Sequence, residues 1–468
     1  MNTIHRFSVV ATAGFALLAS AAMAAPRPAM PELNLGERGA SGERAIVLLG
    51  DNLAAVAAHH GIAPEVLMQR LRSDTALRLD QSGRLYFADD HLPPALTPET
   101  VRPASVAQAP LADTFLLHSR PGAQRTIYLD FNGAVISGTA WNGGGGPINA
   151  QPFDADGNAA VFSNAELTTI QAIWQRVAED YAPFDVDVTT EQPPAGALTR
   201  DNLADTVFGT TVVITHNAGV YACSCGGVAY LSAFDNVGDY YKPALVFWNM
   251  LSSDEKYVAE AISHEAGHNL NLYHDGDATS GYYTGHGSGA TGWAPIMGVG
   301  YYQSLVQWSK GEYSGANNTE DDFVVMQNTG APLRADDHGN TQGTATAMTQ
   351  TGTGLTRKVK VSGVVSTDAD VDMFSFNAGA GTATIKIKLD ALSPNLDAQL
   401  ILRDAGGNQL ASSQPKKSLG GKVSVSLPAA GTYYISVEGV GKPPVLGTGY
   451  SGYGSLGQYT LSGTVQAP

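Results

Sequence analysis

The chain has 468 residues, 43% of them hydrophobic and 15% charged, which is enough for roughly two to four domains of about 100 to 200 residues. Lysine and arginine total 27 against 43 aspartate and glutamate, and the resulting net charge of -16 argues against nucleic acid as a partner. The 19 tyrosines, 14 phenylalanines and 5 tryptophans are spread along the chain and can supply apolar cores, which excludes wholesale disorder.

The N-terminus has the features of a secretory signal peptide. Arg6 precedes an apolar stretch from Phe7 to about Met23, which the small-residue pattern Ala22-Met23-Ala24 closes. A transmembrane anchor is the alternative, but the run is short, rich in alanine and followed by prolines instead of a basic cluster. We therefore expect removal of residues 1–24 and a secreted protein, extracellular or periplasmic in transit. No later apolar window predicts a membrane span.

Residues 25–113 are predicted to be a propeptide and its linker. A helical pattern covers Pro64–Leu71, a strand is predicted at Gly83–Asp89, and Pro93–Pro110 has the proline, alanine and threonine content of a linker. A small module and an exposed linker ahead of a larger domain indicate a zymogen activated by proteolysis between about Pro93 and Thr114. A small appendage that stays attached is the alternative. The segment has no cysteine, so latency must come from an oxygen or nitrogen ligand or from steric blockage.

Residues 114–334 are predicted to form a mixed α/β domain, because strands and helices alternate there. Ser163 and Glu166 make a capping box, and apolar residues repeat at helical spacing from Leu167 to Val177. Five strands are predicted, at Thr126–Phe131, Val186–Thr190, Thr210–Thr215, Gly227–Phe234 and Pro243–Asn249. The two cysteines, Cys223 and Cys225, are so close in sequence that a disulfide between them stays an open alternative.

Residues 335–468 differ from the preceding region in their residue pattern and are predicted to form an antiparallel β-sandwich. Short segments alternate polar and apolar residues in period two, as at Lys358–Val361, Ala383–Leu389 and Tyr433–Val437, and no helical pattern is present. Asp368, Asp370 and Asp372 are candidate Ca²⁺ ligands, although alternating aspartates on the solvated face of a strand are the commoner explanation.

The stretch from Ser263 to His274 contains the candidate metal ligands and the candidate catalytic residue. Residues Ser252–Glu255 form a capping box, so a helix is expected to start there and run through His268. His264 and His268, one helical turn apart, then project together and can both reach one Zn²⁺ ion, with Glu265 beside the open coordination position.

A catalytic zinc ion needs a third protein ligand, which His274 can supply if the chain turns back after the helix. Asn271 is the residue that can make this turn, since asparagine tolerates the left-handed conformation. A distant glutamate as third ligand, Glu312 or Glu320, is the alternative.

This pattern resembles that of the metzincin zinc endopeptidases, with His264, Glu265, His268 and His274 at the family positions and Asn271 where the family usually has glycine. Asp275 after the third histidine is similar to the reprolysin-like branch, where such an aspartate orients the site. Ala294–Gly298 looks like the family's Met-turn, with Met297 below the metal. Some branches have a tyrosine ligand two residues later, where this chain has Val299, with Tyr301 and Tyr302 further on.

The C-terminal region resembles the bacterial pre-peptidase C-terminal domain of many secreted proteases, on the runs Ala335–Thr341, Asp370–Phe376 and Tyr450–Tyr459. This likeness implies a domain that docks a substrate or a surface polymer.

Together the resemblances imply a secreted zinc endopeptidase with one catalytic Zn²⁺ ion and protein or peptide substrates. Glu265 would take a proton from the metal-bound water and later return it to the leaving amine. Substrates would lie antiparallel along an edge strand near Gly227–Phe234. The alternatives are an exported binding or adhesion protein with a structural zinc, and a zinc hydrolase of non-peptide amides. A retained Glu265 argues against the first, because a structural zinc ion needs four ligands and no base.

Overall fold

The computed structural model describes residues 27–90 and 105–468 of the chain. The predicted signal peptide, 1–24, lies outside these residues, and so does the part of the predicted linker before residue 105. Among the described residues, no single helix has both the length and the hydropathy of a membrane span. One bent helix pair, Gly42–His59 with Pro64–Ser73, meets these criteria when its members are taken together.

The segment 27–90 forms a small unit of three helices and two strands. Its elements are α1 (Gly42–Leu49), α2 (Leu53–His59), α3 (Pro64–Ser73), β1 (Leu77–Leu79) and β2 (Leu85–Ala88). The predicted helix and strand are present, whereas α1 and α2 were not predicted. Ser41 and Asn52 precede these two helices, but neither side chain makes a capping hydrogen bond. Leucines of this unit pack with Leu231 and Tyr273 of the following domain, so the segment shares a hydrophobic core with its neighbour.

The second region contains the expected mixed sheet. Its strands are β3 (Arg125–Asp130), β4 (Ala134–Ile136), β5 (Ile148–Ala150), β6 (Val186–Thr189), β7 (Phe208–Thr215), β8 (Gly227–Tyr230), β9 (Ala244–Phe247), β10 (Trp293–Pro295) and β11 (Leu305–Gln307). The main sheet has seven strands in the order β1-β2-β8-β9-β7-β3-β6. Strands β9, β7, β3 and β6 run parallel, and β8 is antiparallel to both neighbours.

One of these strands departs from the predictions in two ways that bear on the site. Strand β8 ends at Tyr230, not at Phe234, because Ser232 has a left-handed backbone with φ 59°. The same strand is also not an edge strand here, since β2 pairs with it. In the loop before β8, Cys223 and Cys225 form a disulfide with Cα atoms 5.3 Å apart.

Three helices accompany the main sheet: α4 (Asn164–Asp180), α5 (Glu255–Asn269) and α6 (Asp322–Asn328). The predicted capping box of α4 is confirmed, with Ser163 and Glu166 each accepting a backbone N–H of the other. The predicted capping box of α5 is wrong. Asp254 caps that helix by accepting the N–H groups of Lys256 and Tyr257, while the two preceding serines have positive φ.

The C-terminal region is a β-sandwich, as predicted. Its strands are β12 (Thr346–Ala347), β13 (Thr349–Thr351), β14 (Thr356–Val365), β15 (Val371–Ala378), β16 (Gly381–Leu389), β17 (Ala398–Arg403), β18 (Gln409–Ser413), β19 (Lys422–Leu427), β20 (Gly431–Gly439) and β21 (Gly457–Gln466). They form two five-stranded sheets, in the orders β12-β15-β20-β17-β18 and β13-β14-β21-β16-β19. Every pairing is antiparallel except the two-residue contact of β12 with β15.

The acidic residues near the start of β15 do not lie on a solvated face, which corrects the simpler sequence interpretation. Asp370 and Asp372 are buried, and each has an Oδ1 atom without a hydrogen-bond partner among the described residues. Carboxylate oxygens of Asp336, Asp370 and Asp372 lie within 4.8 Å of one another. Asp368 is exposed and outside this group. The candidate cation-binding set therefore contains Asp336 in place of Asp368.

The β-sandwich is joined to the preceding domain by buried polar contacts. The side chain of Asn395 donates to Asp180 at the end of α4 over 2.8 Å, and the Gln307 side chain donates to the Asn395 carbonyl. Asp180 also accepts from Ser263 of α5 over 2.6 Å. The sandwich thus connects to the helix that carries the candidate site.

Candidate metal centre

Helix α5 and the loop after it bring the three predicted histidine ligands together. His264 and His268 lie one turn apart with ring centroids separated by 4.7 Å. The chain then reverses at Asn271, whose φ of 73° confirms the predicted left-handed turn. His274 returns so closely that its Nε2 lies 3.1 Å from Nε2 of His268.

Each of the three imidazole rings is oriented by a hydrogen bond at its Nδ1 atom. Nδ1 of His264 donates to the Ile296 carbonyl over 2.9 Å, and Nδ1 of His268 donates to the Leu272 carbonyl over 2.7 Å. Nδ1 of His274 lies 2.6 Å from a carboxylate oxygen of Asp74. With Nδ1 occupied, all three Nε2 atoms are available as metal ligands.

A fourth donor, Asp89, joins the three histidines. One ligand atom from each of the four residues lies within 4.8 Å of every other. The Asp89 carboxylate is 3.4 Å from Nε2 of His264, 3.4 Å from that of His268 and 3.1 Å from that of His274. A tetrahedral ion with bonds of about 2.0 to 2.1 Å holds its ligands about 3.3 Å apart. The donor set therefore fits Zn²⁺.

Burial and neighbouring charges act in opposite directions on the pKa values of the groups in the cluster. Burial lowers the pKa of His264 to about 3. Burial also opposes protonation of His274, but the carboxylates of Asp74 and Asp89 outweigh it and raise the pKa of that imidazole to about 10. Burial opposes the charge on Asp89, yet His274 and His268 hold its pKa well below the usual range. A cation at the centre would satisfy both His264 Nε2 and Asp89 Oδ2, which lack hydrogen-bond partners among the described residues.

Glu265, the predicted proton acceptor, is buried next to the cluster. Its side chain is buried, and burial together with the nearby Asp89 carboxylate raises its pKa well above the usual range. The side chain lies against the backbone of Gly227 so closely that a Cβ there would be 2.2 Å from its Oε1. Glycine at the start of β8 thus leaves the space that Glu265 occupies.

Met297 lies under helix α5, in the turn after β10. Its side chain is fully buried, and its sulfur would be 2.6 Å from a Cβ added at Gly267. Asp275 ties the loop of the third histidine to this turn, because its backbone N–H donates to the Met297 carbonyl over 2.8 Å. Burial and the charge of Glu320 raise the pKa of the Asp275 carboxyl.

The alternative third ligands lie elsewhere. Glu320 accepts the backbone N–H of Tyr273 over 2.7 Å and pairs with Arg70, while Glu312 lies 3.7 Å from Lys310. Neither belongs to the four-residue cluster. The geometry therefore favours His274 over both glutamates.

Sequence reasoning missed three side chains at the cluster, namely Asp74, Asp89 and Tyr282. The Tyr282 hydroxyl donates to Asp89 over 3.1 Å, and its ring centroid is 4.2 Å from that of His274. No local motif marks any of the three. The absence of a cysteine before residue 114 was the one available signal, since it required a different donor for latency.

The segment that carries Asp89 covers the predicted substrate strand. Strand β2 is antiparallel to β8, with Phe87 opposite Ala229. Beyond the strand, the Asp89 N–H donates to Gly227 over 3.1 Å and its carbonyl accepts from Gly226 over 2.8 Å. The Phe87 ring stacks on His268 at 4.0 Å between centroids. The edge expected to be open for substrates is therefore filled by this chain's own N-terminal segment.

Comparison with known proteins identifies part of the chain. Residues 370–439 match the family model of the bacterial pre-peptidase C-terminal domain, which confirms that prediction. Aeromonas hydrophila PliG, a periplasmic lysozyme inhibitor of g-type lysozyme, is 21% identical over 26% of this chain and 97% of its own, with a TM-score of 0.20. The pre-peptidase C-terminal domain of collagenase from Bacillus anthracis is 18% identical over 22% of this chain and 86% of its own, with a TM-score of 0.17. No curated protein matches the chain. The resemblance of residues 114–334 to metzincins remains a prediction.

The backbone at Asn271 generates a test of the ligand set. In Asn271→Gly we expect zinc content to stay at one ion per chain, because glycine adopts positive φ freely, and the free energy of unfolding to fall by about 1 to 3 kcal/mol, because the Ser232 hydroxyl and the His60 carbonyl lose the Asn271 side chain. In Asn271→Val we expect zinc to be lost, since a β-branched residue resists that conformation and His274 would be displaced. Zinc content by atomic absorption and unfolding by denaturant measure both effects. Full zinc occupancy in the valine variant would mean that His274 does not depend on this turn.

Proposed function

We propose that the protein is an exported zinc endopeptidase that is made as a latent precursor. The observation that carries the proposal is the convergence of three oriented imidazole Nε2 atoms beside the buried carboxylate of Glu265. Three protein ligands, a position for water and an adjacent base are the components of a hydrolytic zinc site. The match to a domain found in secreted proteases supports a protease context.

In this proposal His264, His268 and His274 hold one Zn²⁺ ion. When bound, the ion would lower the pKa of a coordinated water towards about 7 and polarise the scissile carbonyl. Glu265 accepts the proton of the attacking water and returns it to the leaving amine. A carboxylate can perform both steps, because it accepts a proton as a base and donates it again as an acid.

Substrates would bind where β2 now lies. The Asp89 backbone donates to Gly227 and accepts from Gly226, so an extended peptide in its place could form the same pair of hydrogen bonds. Such a peptide would pass directly by Glu265, which lies against Gly227. This supports endopeptidase action on an extended segment of a protein substrate.

Latency would come from the N-terminal segment in two ways. The Asp89 carboxylate would take the position of the catalytic water as a fourth ligand, and β2 would exclude the substrate backbone from β8. The sequence left two causes of latency open, a polar ligand to the metal and a steric block. In this proposal an oxygen ligand and a steric block contribute together. Cleavage in the proposed region between Pro93 and Thr114 would allow both to leave.

One alternative gains support from the same geometry. With Asp89 bound, the site has four protein ligands, which is the coordination of a structural zinc ion in a binding or adhesion protein. Glu265 distinguishes the catalytic from the structural interpretation, because a structural zinc site does not require a buried carboxylate with a raised pKa. Hydrolysis of a non-peptide amide would use the same residues, and digestion of casein separates it from peptidase activity.

Export is proposed from two independent features. The pre-peptidase C-terminal domain supports an extracellular or periplasmic location. The Cys223–Cys225 disulfide supports the same compartment, because disulfides persist in oxidising environments.

We also propose a Ca²⁺ site in the β-sandwich at Asp336, Asp370 and Asp372. The supporting observation is the pair of buried, unpartnered Oδ1 atoms on Asp370 and Asp372. Burial raises the pKa of the Asp372 carboxyl to about 8, so a divalent cation would relieve the cost of its charge.

The first prediction from this proposal concerns Glu265 as the general base. Glu265→Gln should retain zinc and the fold but lower casein turnover by about 100-fold or more, because it removes the proton acceptor and no ligand. His268→Ala is the contrasting variant and should lose zinc, since two histidines remain. Both are measured after proteolytic activation, with and without chelator. Undiminished turnover in Glu265→Gln would refute the mechanism, and full zinc occupancy in His268→Ala would refute the ligand set.

The second prediction concerns latency. In the uncut chain, Asp89→Asn should lose zinc to a chelator about tenfold faster or more than the parent, because a weaker fourth donor exposes the ion. Asp90→Asn is the matched control, as it makes the same charge change at the next, exposed residue. Equal chelation rates for the two variants would show that Asp89 is not a ligand, whether or not the cut protein is a peptidase.

The third prediction concerns calcium. Millimolar Ca²⁺ should raise the Tm of the parent by about 4 °C or more and leave that of Asp372→Asn unchanged, because the ion binds only the folded site. Asp368→Asn, an exposed aspartate outside the group, should respond like the parent. A parent Tm that calcium does not move would exclude the site.

A further inference from the structure

The lysines of this acidic protein are concentrated in one place. The chain has 11 lysines and a net charge of -16, yet seven of the lysines lie between residues 358 and 422 of the C-terminal domain. Five of those seven are on strands β14, β16 and β19, which belong to the same sheet: Lys358, Lys360, Lys386, Lys388 and Lys422. All five are exposed.

The strand register aligns these lysines into rows across the sheet. Lys360 is opposite Ser462, which is opposite Lys386, which is opposite Lys422. The adjacent rows place Lys358 level with Thr464 and Thr384, and Lys388 level with Thr460 and Ser362. The residues between the lysines are thus serines and threonines, and the apolar residues of the same strands face the sandwich core. We refer to this outer surface of the sheet as the lysine face.

The lysine face has no charge partner of its own. None of its five lysines forms an ion pair within the part of the chain that the structure describes. Asp337 and Asp390 line a cavity together with Lys388, at one margin of the face. Lysines often protect sheet edges from aggregation, but β14 and β16 are interior strands, so four of the five do not serve that purpose.

The spacing of the charges indicates the kind of partner. Neighbouring strands are about 4.8 Å apart, so Lys360 and Lys386 are separated by about 10 Å across Ser462. Successive outward residues on one strand are about 7 Å apart. The face is therefore a flat array of ammonium groups with hydroxyls between them, which complements a flexible chain with anionic groups at regular intervals. No aromatic side chain lies on it to stack with a base, which disfavours single-stranded nucleic acid.

We propose that the lysine face binds an anionic polysaccharide, a sugar chain with repeated carboxylate or sulfate groups. Ammonium groups pair with the anions, and the serine and threonine hydroxyls bond to sugar hydroxyls between them. This surface is separate from the metal cluster, and the proposal does not depend on peptidase activity. It gives the C-terminal domain a partner of defined chemistry.

The test uses the full chain with Glu265→Gln, which prevents self-digestion. Binding to polygalacturonate and to dextran sulfate is measured at low and at physiological salt, with neutral dextran as the blank. The Lys360→Gln/Lys386→Gln variant should weaken binding about tenfold or more and reduce its salt dependence. Lys416→Gln/Lys417→Gln is the matched control, because it removes the same charge from the exposed loop between β18 and β19 and should change affinity by about twofold or less.

The outcomes separate the explanations. Equal loss in both double variants would show that net charge alone drives binding and would overturn the proposal. Equal or tighter binding to a DNA duplex, or to phosphatidylglycerol vesicles, would also overturn it in favour of that partner. Because the four substituted lysines are exposed, unchanged thermal unfolding of both variants is expected and confirms that the comparison concerns the surface.

Discussion

The structure depends on holding three buried imidazoles with their Nε2 atoms turned to one point. Each ring is fixed by an acceptor on a different part of the chain: the Ile296 carbonyl near the Met297 turn, the Leu272 carbonyl in the loop after α5, and the Asp74 carboxylate of the N-terminal segment. A buried polar atom without a partner costs about 1 to 3 kcal/mol. The Nε2 atoms of His268 and His274, 3.1 Å apart, are therefore stable together when they share a proton or bind a common cation.

The same constraint explains why the N-terminal segment fits so closely. Two carboxylates of this segment contact opposite sides of the His274 ring, with Asp74 at Nδ1 and Asp89 at Nε2. Its strand β2 satisfies the backbone of β8, which would otherwise be an exposed edge. Removal of the segment would therefore leave an open metal position and an unpaired strand side by side. In the proposed peptidase, a peptide substrate would need both features, so the contacts of the N-terminal segment would also define how a substrate occupies the site.

The sequence could predict what short-range chemistry determines. The Ser163 cap depends on a residue three positions away, and the left-handed turn at Asn271 depends on one residue's tolerance of positive φ. The alternating strands of the β-sandwich follow from a local pattern as well. The start of α5 was mispredicted by two residues, because three consecutive polar residues could each have capped it and only Asp254 has the required backbone.

The rest of the site could not be predicted, because it depends on contacts between distant segments. Asp89 is 175 residues from His264, and only the pairing of β2 with β8 brings it to the cluster. Strand β8 was expected at an edge because of the resemblance to metzincins, yet whether a strand lies at an edge is decided by the segment that pairs with it. Likewise, Asp370 and Asp372 have the spacing of a solvated face but are buried, and Asp336, more than 30 residues earlier in the chain, lies next to them.

The C-terminal domain is coupled to the site through the end of helix α4. Asn395 of the β-sandwich donates to Asp180, which accepts from Ser263, the residue directly before His264. Burial raises the pKa of the Asp180 carboxyl to about 7, and the hydrogen bonds from Ser263 and Asn395 act in the opposite direction. Glu179 is buried against Gly457 in the same interface. Because these contacts are buried and polar, separating the domains would leave carboxylates without partners. A polymer held at the lysine face would therefore stay at a fixed orientation to the metal cluster, which a flexible tether between the domains could not provide.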